Sequence, residues 1–223
     1  MSHYAVAVFS DDGDFDRLLA PYGACNKQYC EFFPIEYGEI EKNYKKFKKL
    51  NRNRTIDDYI KIMRYEVVDG QWGSYSNPNG RWDFYSLNGK AYLFDVKDGS
   101  IGDPVYRKND YIWFPDMKDA EEDAREYWDD FVGESALGEA PGIFDRQYFI
   151  DRYKTREQYI KEMTRVMPYA FITPDGVWHS AGRIFYFGLS NETAEDADRY
   201  AEEWDAWINS DANPYVNLVD CHI

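Results

Sequence analysis

His3-Tyr4-Ala5-Val6-Ala7-Val8-Phe9 is followed at once by Ser10-Asp11-Asp12-Gly13. A short run of β-branched and aromatic residues ending at turn formers predicts a buried strand. Phe15, Leu18 and Leu19 then take helical spacing until Pro21 and Gly23 stop them, which predicts a short helix. The far end of the chain mirrors this order. Residues 169–173 read as a strand, Pro174-Asp175-Gly176 as a turn, 177–179 as the return and 183–187 as a further strand. Thr193 is placed to cap a helix with Ala197, Tyr200, Ala201, Trp204, Trp207 and Ile208 on one face, and residues 215–222 close the chain as a strand. Strand, helix, strand at both ends predicts an α+β fold. The expected arrangement is a ferredoxin-like layer built from residues 1–37 and 167–223, with a long, mainly helical insertion over 38–166 that carries a β-hairpin, all within one compact domain, 1–223. In that topology the first and last strands are antiparallel neighbours, and His3 lies near His222.

Working inward, residues 31–37 suggest a second strand in which Pro34 argues for an edge position or a break. Ile40, Tyr44 and Phe47 are spaced i, i+4, i+7 with lysines between them, and Thr55 can cap a helix bearing Ile56, Tyr59, Ile60 and Met63. Residues 84–87 and 91–96 flank Asn88-Gly89, the turn signal for the expected hairpin. Over 116–131, Met117, Ala120, Ala124, Tyr127, Trp128 and Phe131 form the apolar stripe of an amphipathic helix. After a Gly/Pro connection near 138–142, Thr155 and Gln158 match a capping box.

The 223 residues suffice for a core without staples, and three cysteines, Cys25, Cys30 and Cys221, do not make a disulfide framework. A reducing cytoplasm is expected, with no membrane association: the first residues lack a basic n-region and no apolar run approaches a span. Net charge is −15, which opposes direct nucleic-acid binding by the chain as a whole. The charge is polarised. Residues 116–135 sum to −7 and 193–211 to −6, whereas 42–54 hold seven basic groups and no acid. The basic stretch reads either as a phosphate-binding surface or as a solvated helix face. The acidic helices read as solvated faces or as rows of carboxylates imitating nucleic-acid phosphates.

Arg81-Trp82-Asp83-Phe84-Tyr85 places Trp82 and Phe84 on one face of an extended segment and Arg81, Asp83 and Tyr85 on the other. One reading makes Trp82 and Phe84 core, with Asp83 satisfying a turn or pairing with Arg81. The other has the polar trio, with Lys90 and the rings of Trp82 and Trp178, binding a phosphorylated or planar ligand. Asn77-Pro78-Asn79, Trp82-Asp83-Phe84-Tyr85, the run from Tyr169-Ala170 through Thr173-Pro174-Asp175-Gly176 to Trp178, and the terminal Asp220-Cys221-His222-Ile223 together resemble a family of small bacteriophage and prophage proteins. That family shows Gly-Gly-Arg where this chain has Asn88-Gly89-Lys90, so a point charge replaces a bidentate fork. The resemblance implies a phage setting, in the cytoplasm of a bacterial host, and assigns no reaction.

Catalytic signatures are sparse: the sequence has no Gly-rich phosphate loop, no His-Glu-x-x-His and no Gly-x-Ser-x-Gly. His179 is the candidate acid or base. His3 and His222, with Cys221 and with Asp220 or His179 as a further ligand, are candidates for a metal, as is the Cys25/Cys30 spacing; against the first, Cys221 and His222 point to opposite faces of a strand. No cofactor is expected. The expectation is therefore a phage-type accessory protein acting by stoichiometric binding, countering a host defence component by capturing a nucleotide-like small molecule or a host protein. The alternatives are a small hydrolase or nucleotide-processing enzyme using His179 or a metal near His222, and an acidic mimic that blocks a host DNA- or RNA-binding protein. Oligomeric state is left open.

Overall fold

The computed structural model describes residues 3–24, 26–100, 105–133, 145–184 and 190–223. In chain order its elements are β1 (His3–Ser10), α1 (Phe15–Leu19), β2 (Glu31–Pro34), α2 (Tyr37–Leu50), α3 (Ile56–Ile62), β3 (Glu66–Val68), β4 (Gln71–Ser76), β5 (Phe84–Ser86), β6 (Asp95–Val96), β7 (Tyr106–Arg107), β8 (Tyr111–Ile112), α4 (Lys118–Tyr127), α5 (Arg146–Tyr153), α6 (Arg156–Met163), β9 (Ala170–Ile172), β10 (Trp178–Ser180), α7 (Ala194–Ile208) and β11 (Tyr215–His222). The expectations for Cys25, for the 138–142 connection and for most of the 183–187 strand lie outside the described residues. The fold is α+β. No helix among the described residues is long and apolar enough to cross a membrane.

Two compact units divide the chain: Met1–Leu18 with Tyr85–His222, and Leu19–Phe84 with Ile223. The boundaries fall at 18/19 and 84/85 rather than at 38 and 166. The reason lies in strand pairing, because β5 and β7, from inside the expected insertion, both join β11.

In the first unit the strand order is β10-β9-β1-β11-β5. β1 and β11 run antiparallel from His3↔His222 to Ser10↔Tyr215, as the sequence reading requires. The ferredoxin-like layering needs correcting, however. A split β-α-β separates its two parallel strands, whereas β9 pairs directly and in parallel with β1, Val6 opposite Ala170. The expected hairpin about Asn88-Gly89 is also absent. β5 joins β11, residues Ala91–Leu93 form a 3-10 turn, and β6 pairs with β8. The turn is held by the last strand instead: Asn88 N donates to Asn217 Oδ1 at 2.8 Å and Lys90 N to Leu218 O at 3.0 Å. Glycine is required at 89, since a Cβ there would lie 2.6 Å from that of Asp220.

Alternation along the strands decides the core. Ala7 and Phe9 of β1, Phe171 of β9, and Val216 and Leu218 of β11 face Tyr200, Trp204 and Ile208 of α7 in one buried cluster, joined by Phe94, Tyr111 and Trp113. Thr193 caps α7 through a capping box with Asp196, which removes two orphan N–H donors at its start. A second cluster packs Ala124 of α4, Trp128 and Val132 of the following π turn, Tyr153 of α5 and Tyr159 of α6. Thr155 Oγ1 accepts from Gln158 N at the start of α6.

Burial pushes the phenols of Tyr111 and Tyr159 up to about 12, against an unfolded value near 10. Between those values the unfolded chain has released protons that the native chain still holds. Stability contributed by the two rings is therefore complete below about pH 10 and is lost as pH rises toward about 12. Urea midpoints measured from pH 9 to 12 should fall across that window. A Tyr111→Phe/Tyr159→Phe variant should flatten the fall, and an unchanged profile would contradict it.

The second unit has a three-stranded sheet, β2-β4-β3, with β2 and its Pro34 at the edge, as expected. Asp69 (φ 50°) and Gly70 (φ 82°) join β3 to β4, and two positive φ angles in a two-residue loop are the type I′ signature. Thr55 caps α3 through a capping box with Asp58. Ile40 of α2 and Tyr59 of α3 are buried, and Phe47 meets Tyr59 at 5.0 Å. Lys42, Lys45, Lys46, Lys48 and Lys49 are exposed on the remaining faces of α2.

Candidate functional site

The Asn77–Trp82 motif is chiefly a clasp. Asn77 is buried and its Nδ2 donates to Pro21 O (2.7 Å) and Gly23 O (3.0 Å), while its Oδ1 accepts from Asn79 N (2.9 Å). Arg81 N donates to Tyr22 O (2.7 Å) and Ala24 N to Trp82 O (2.8 Å). The Trp82 indole is buried over Gly23, where a Cβ would come within 2.9 Å of the ring. These bonds hold in place residues 20–24, a single 3-10 turn over Ala20–Tyr22 followed by the Gly23 bridge to Trp82.

The structure divides the six residues expected to bind ligand. Arg81, Trp82 and Asp83 belong to the unit of residues 19–84, Trp82 as core and Asp83 exposed. Tyr85, in the other unit, donates to Asp16, and burial followed by that bond pushes its phenol well above the usual range. Lys90 lies 3.5 Å from Asp220 Oδ1 and donates to Tyr92 Oη at 3.2 Å, contacts that raise its pKa, the tyrosine bond first. Trp178 donates to Ser180 Oγ at 3.1 Å.

His3 and His222 do meet, edge to face at 4.8 Å, and His3 Nδ1 lies 3.0 Å from Asp220 Oδ2. Cys221 pairs with Tyr4 in the sheet register and is buried, its thiol pushed up by burial and then by the Asp220 charge. Among the described residues, no group of three or more His, Cys, Asp or Glu is placed to hold a metal. The Cys221/His222 pair fails for the reason the strand pleat gives.

His179 stacks on Phe171 at 4.4 Å with ring planes 4° apart, and its Nδ1 lies 3.0 Å from Glu203 Oε2. Glu203 is held in turn by Arg199 at 3.4 Å. With Asp11, Thr173, Asp175 and Trp207, His179 lines an open crevice just beyond the carboxyl ends of the parallel pair β1 and β9, where sheets of this kind often take ligands. An imidazole fixed through Nδ1 can exchange a proton at Nε2. Asp175 is held below the usual carboxylate range, first by the hydroxyl of Thr173 at 2.5 Å.

A second cavity was not legible as a motif. It lies wholly within the unit of residues 19–84, has a volume of about 430 Å³, and is lined by Ala24, Lys27, Cys30, Arg64, Glu66 and Tyr75. Lys27 comes from a 3-10 turn capped by Asn26, directly after the segment that Asn77 clasps. Arg64 sits between α3 and β3 with φ 54°, an uncommon conformation for a non-glycine residue. Glu66 opposes Gly73 across β3 and β4, and Tyr75 shares Gly73's face two residues on. Phe32 covers Gly73 and meets the Tyr75 ring at 5.3 Å, leaving that ring 50% exposed. Cys30 donates its thiol to Asn26 O at 3.3 Å. Two cations, one carboxylate and an open aromatic face thus converge on a space of ligand size. The available sequence signal was Asp69-Gly70, a hairpin turn that brings Arg64 and Glu66 alongside Tyr75. No family model matches the chain, and no curated protein or solved structure matches it either.

Proposed function

We propose that the protein acts by stoichiometric binding and that its ligand is a nucleotide-like small molecule held in the cavity of Lys27, Arg64, Glu66 and Tyr75. In the phage setting that the sequence motifs imply, such capture would withdraw a small molecule from a host defence component. The observation that carries the reading is the convergence of two cations and a half-exposed tyrosine ring in one cavity. Charge supports it. Residues 19–84 hold eleven Lys and Arg against nine Asp and Glu, net +2, so the remainder of the chain carries −17. An anion is drawn to the one unit whose charge does not oppose it. Lysine supplies a mobile point charge and arginine a planar fork for phosphate oxygens, while the tyrosine face accepts a base by stacking.

Isothermal titration of the intact protein with mononucleotides should show one molecule bound per chain, weakening as salt is added. Lys27→Ala and Arg64→Ala should each weaken binding about tenfold or more, the scale of one charge-assisted hydrogen bond. No binding by any nucleotide, or affinities untouched in both variants, would remove the cavity from the function.

A further inference from the structure

We infer that α2 is a docking surface for double-helical DNA, held through the phosphate backbone and without regard to sequence. Lys42, Lys45, Lys46 and Lys49 are exposed and stand at i, i+3, i+4 and i+7, the spacing that sets side chains in one stripe along a helix. Ile40, Tyr44 and Phe47 take the opposite side of the same helix, where Ile40 is buried and the two rings meet Tyr59 of α3 at 6.0 and 5.0 Å. Packing against α3 thus fixes the helix, and the lysine stripe stays on its outer side.

Solvated helix faces elsewhere in the chain neutralise their cations. On α4, Arg125 bridges Glu121 at 2.7 Å, and on α7, Arg199 meets Asp196 at 2.9 Å and Glu203 at 3.4 Å. On α2, Glu39 and Glu41 stand three and four residues before Lys42 and Lys45. Even so, among the described residues none of the four stripe lysines has a carboxylate within ion-pair distance. Like charges three and four residues apart oppose helix formation, so the stripe works against α2 until an anion meets it.

Charge density identifies the anion. The stripe carries one charge per about 3.5 Å of helix axis, and each strand of a DNA duplex carries one per about 3.4 Å. A bilayer is a poorer match, because an interfacial helix needs a free apolar face and that of α2 packs on Tyr59. Single strands are bound by stacking bases on open aromatic rings, and Tyr44 and Phe47 are occupied in the same way. Lysine is a point charge, and phosphate contacts carry no sequence information. The net charge of −15 opposes a polyanion, but residues 19–84, which include α2, hold eleven Lys and Arg against nine Asp and Glu, net +2. Binding is therefore weak and steeply dependent on salt.

Fluorescence anisotropy of a labelled DNA duplex of mixed sequence, titrated with the intact protein at low salt, tests this surface. Binding should weaken as salt rises, with a slope of log K against log salt of about −3.6 for four neutralised phosphates. Lys46→Gln should flatten that slope by about 0.9, whereas Lys118→Gln, the same change of charge at the start of α4, should leave it unaltered. Replacing all four stripe lysines by glutamine should abolish binding without lowering the melting temperature, since only exposed, mutually repelling groups are removed. No binding at low salt, binding that survives the fourfold variant, or equal effects of Lys46→Gln and Lys118→Gln would overturn the surface. Tighter binding to a single-stranded oligonucleotide or to phosphatidylserine vesicles would overturn the choice of partner. Mononucleotide titration is a separate readout, so none of these results bears on the cavity.

Discussion

Replacing Lys108 by methionine is expected to destabilise the protein by about 2–6 kcal/mol, because two buried carbonyls lose their donor at about 1–3 kcal/mol each. Lys108 is fully buried, and its Nζ donates to Trp207 O (3.0 Å), Ile208 O (2.9 Å), Ser210 O (2.7 Å) and Ser210 Oγ (3.1 Å). The last carbonyls of a helix have no partner within it, and α7 ends at Ile208. The ammonium thus caps the C-terminus of α7 from outside the helix, where the helix dipole also favours a cation. Two effects compete. Burial disfavours the charged form, and it holds the Lys108 pKa below the ordinary lysine range. Against this, methionine would take this donor from the Ile208 and Ser210 carbonyls, at about 1–3 kcal/mol each, while Trp207 O keeps Ser210 N and Oγ. The second effect is larger because it counts two acceptors while the first counts one ion. Urea unfolding of the two proteins decides the matter. A loss below about 1 kcal/mol would mean that the carbonyls find water and that the cap contributes little.

Trp204→Ala should cost about 3–5 kcal/mol by large-to-small truncation in a packed core. The side chain has no exposed area, and its ring meets Trp113 at 5.4 Å, Phe171 at 5.5 Å, Phe94 at 6.0 Å and Phe9 at 6.2 Å. It is the point at which β1, β9, α7 and the segment carrying Phe94 and Trp113 converge, so the cavity left by truncation cannot close by moving one neighbour. Trp204→Phe separates packing from polarity. Among the described residues the indole Nε1 is buried without a hydrogen-bond partner, and phenylalanine removes that donor together with part of the ring. Its cost should be less than about 2 kcal/mol, since relief of an unsatisfied group partly offsets the lost contact. Thermal unfolding followed by tryptophan fluorescence and circular dichroism measures both. Equal losses in the two variants would show that the ring volume phenylalanine retains does not set the stability, and would overturn the packing argument.

The candidate site tests how far a sequence carries this kind of inference. The Asn77–Tyr85 stretch stood out because it concentrates aromatic and charged residues, yet Asn77 and Trp82 spend their polar and apolar capacity on holding residues 20–24. Concentration along the chain does not distinguish a clasp from a binding surface, since both need dense, directional contacts. Residues that do line the cavity are scattered from Ala24 to Tyr75, and each is unremarkable where it stands. Lys108 was equally silent: within Arg107-Lys108-Asn109-Asp110 it reads as a solvated turn, and only the arrival of the end of α7 buries it.

By itself the sequence determined what depends on neighbours within about ten residues. The buried strand at 3–9, the apolar face of α7, the caps at Thr55, Thr155 and Thr193, and the edge position or break that Pro34 imposes all follow from local periodicity and from the bonds a side chain can make to its own backbone. It also determined the α+β class and the meeting of His3 with His222. Beyond the pairing of the first and last strands, tertiary structure alone decided which strands pair. Asn88-Gly89 carries a strong local hairpin signal, but the N–H groups of Asn88 and Lys90 found Asn217 and Leu218 on β11, because a long, buried strand offers more satisfied backbone than a three-residue partner can. The direct parallel pairing of β9 with β1, the division of the chain at residues 18 and 84, and the grouping of Lys27, Arg64, Glu66 and Tyr75 are likewise long-range outcomes. They depend on free-energy differences between alternative pairings of distant segments, which no local pattern of residues encodes.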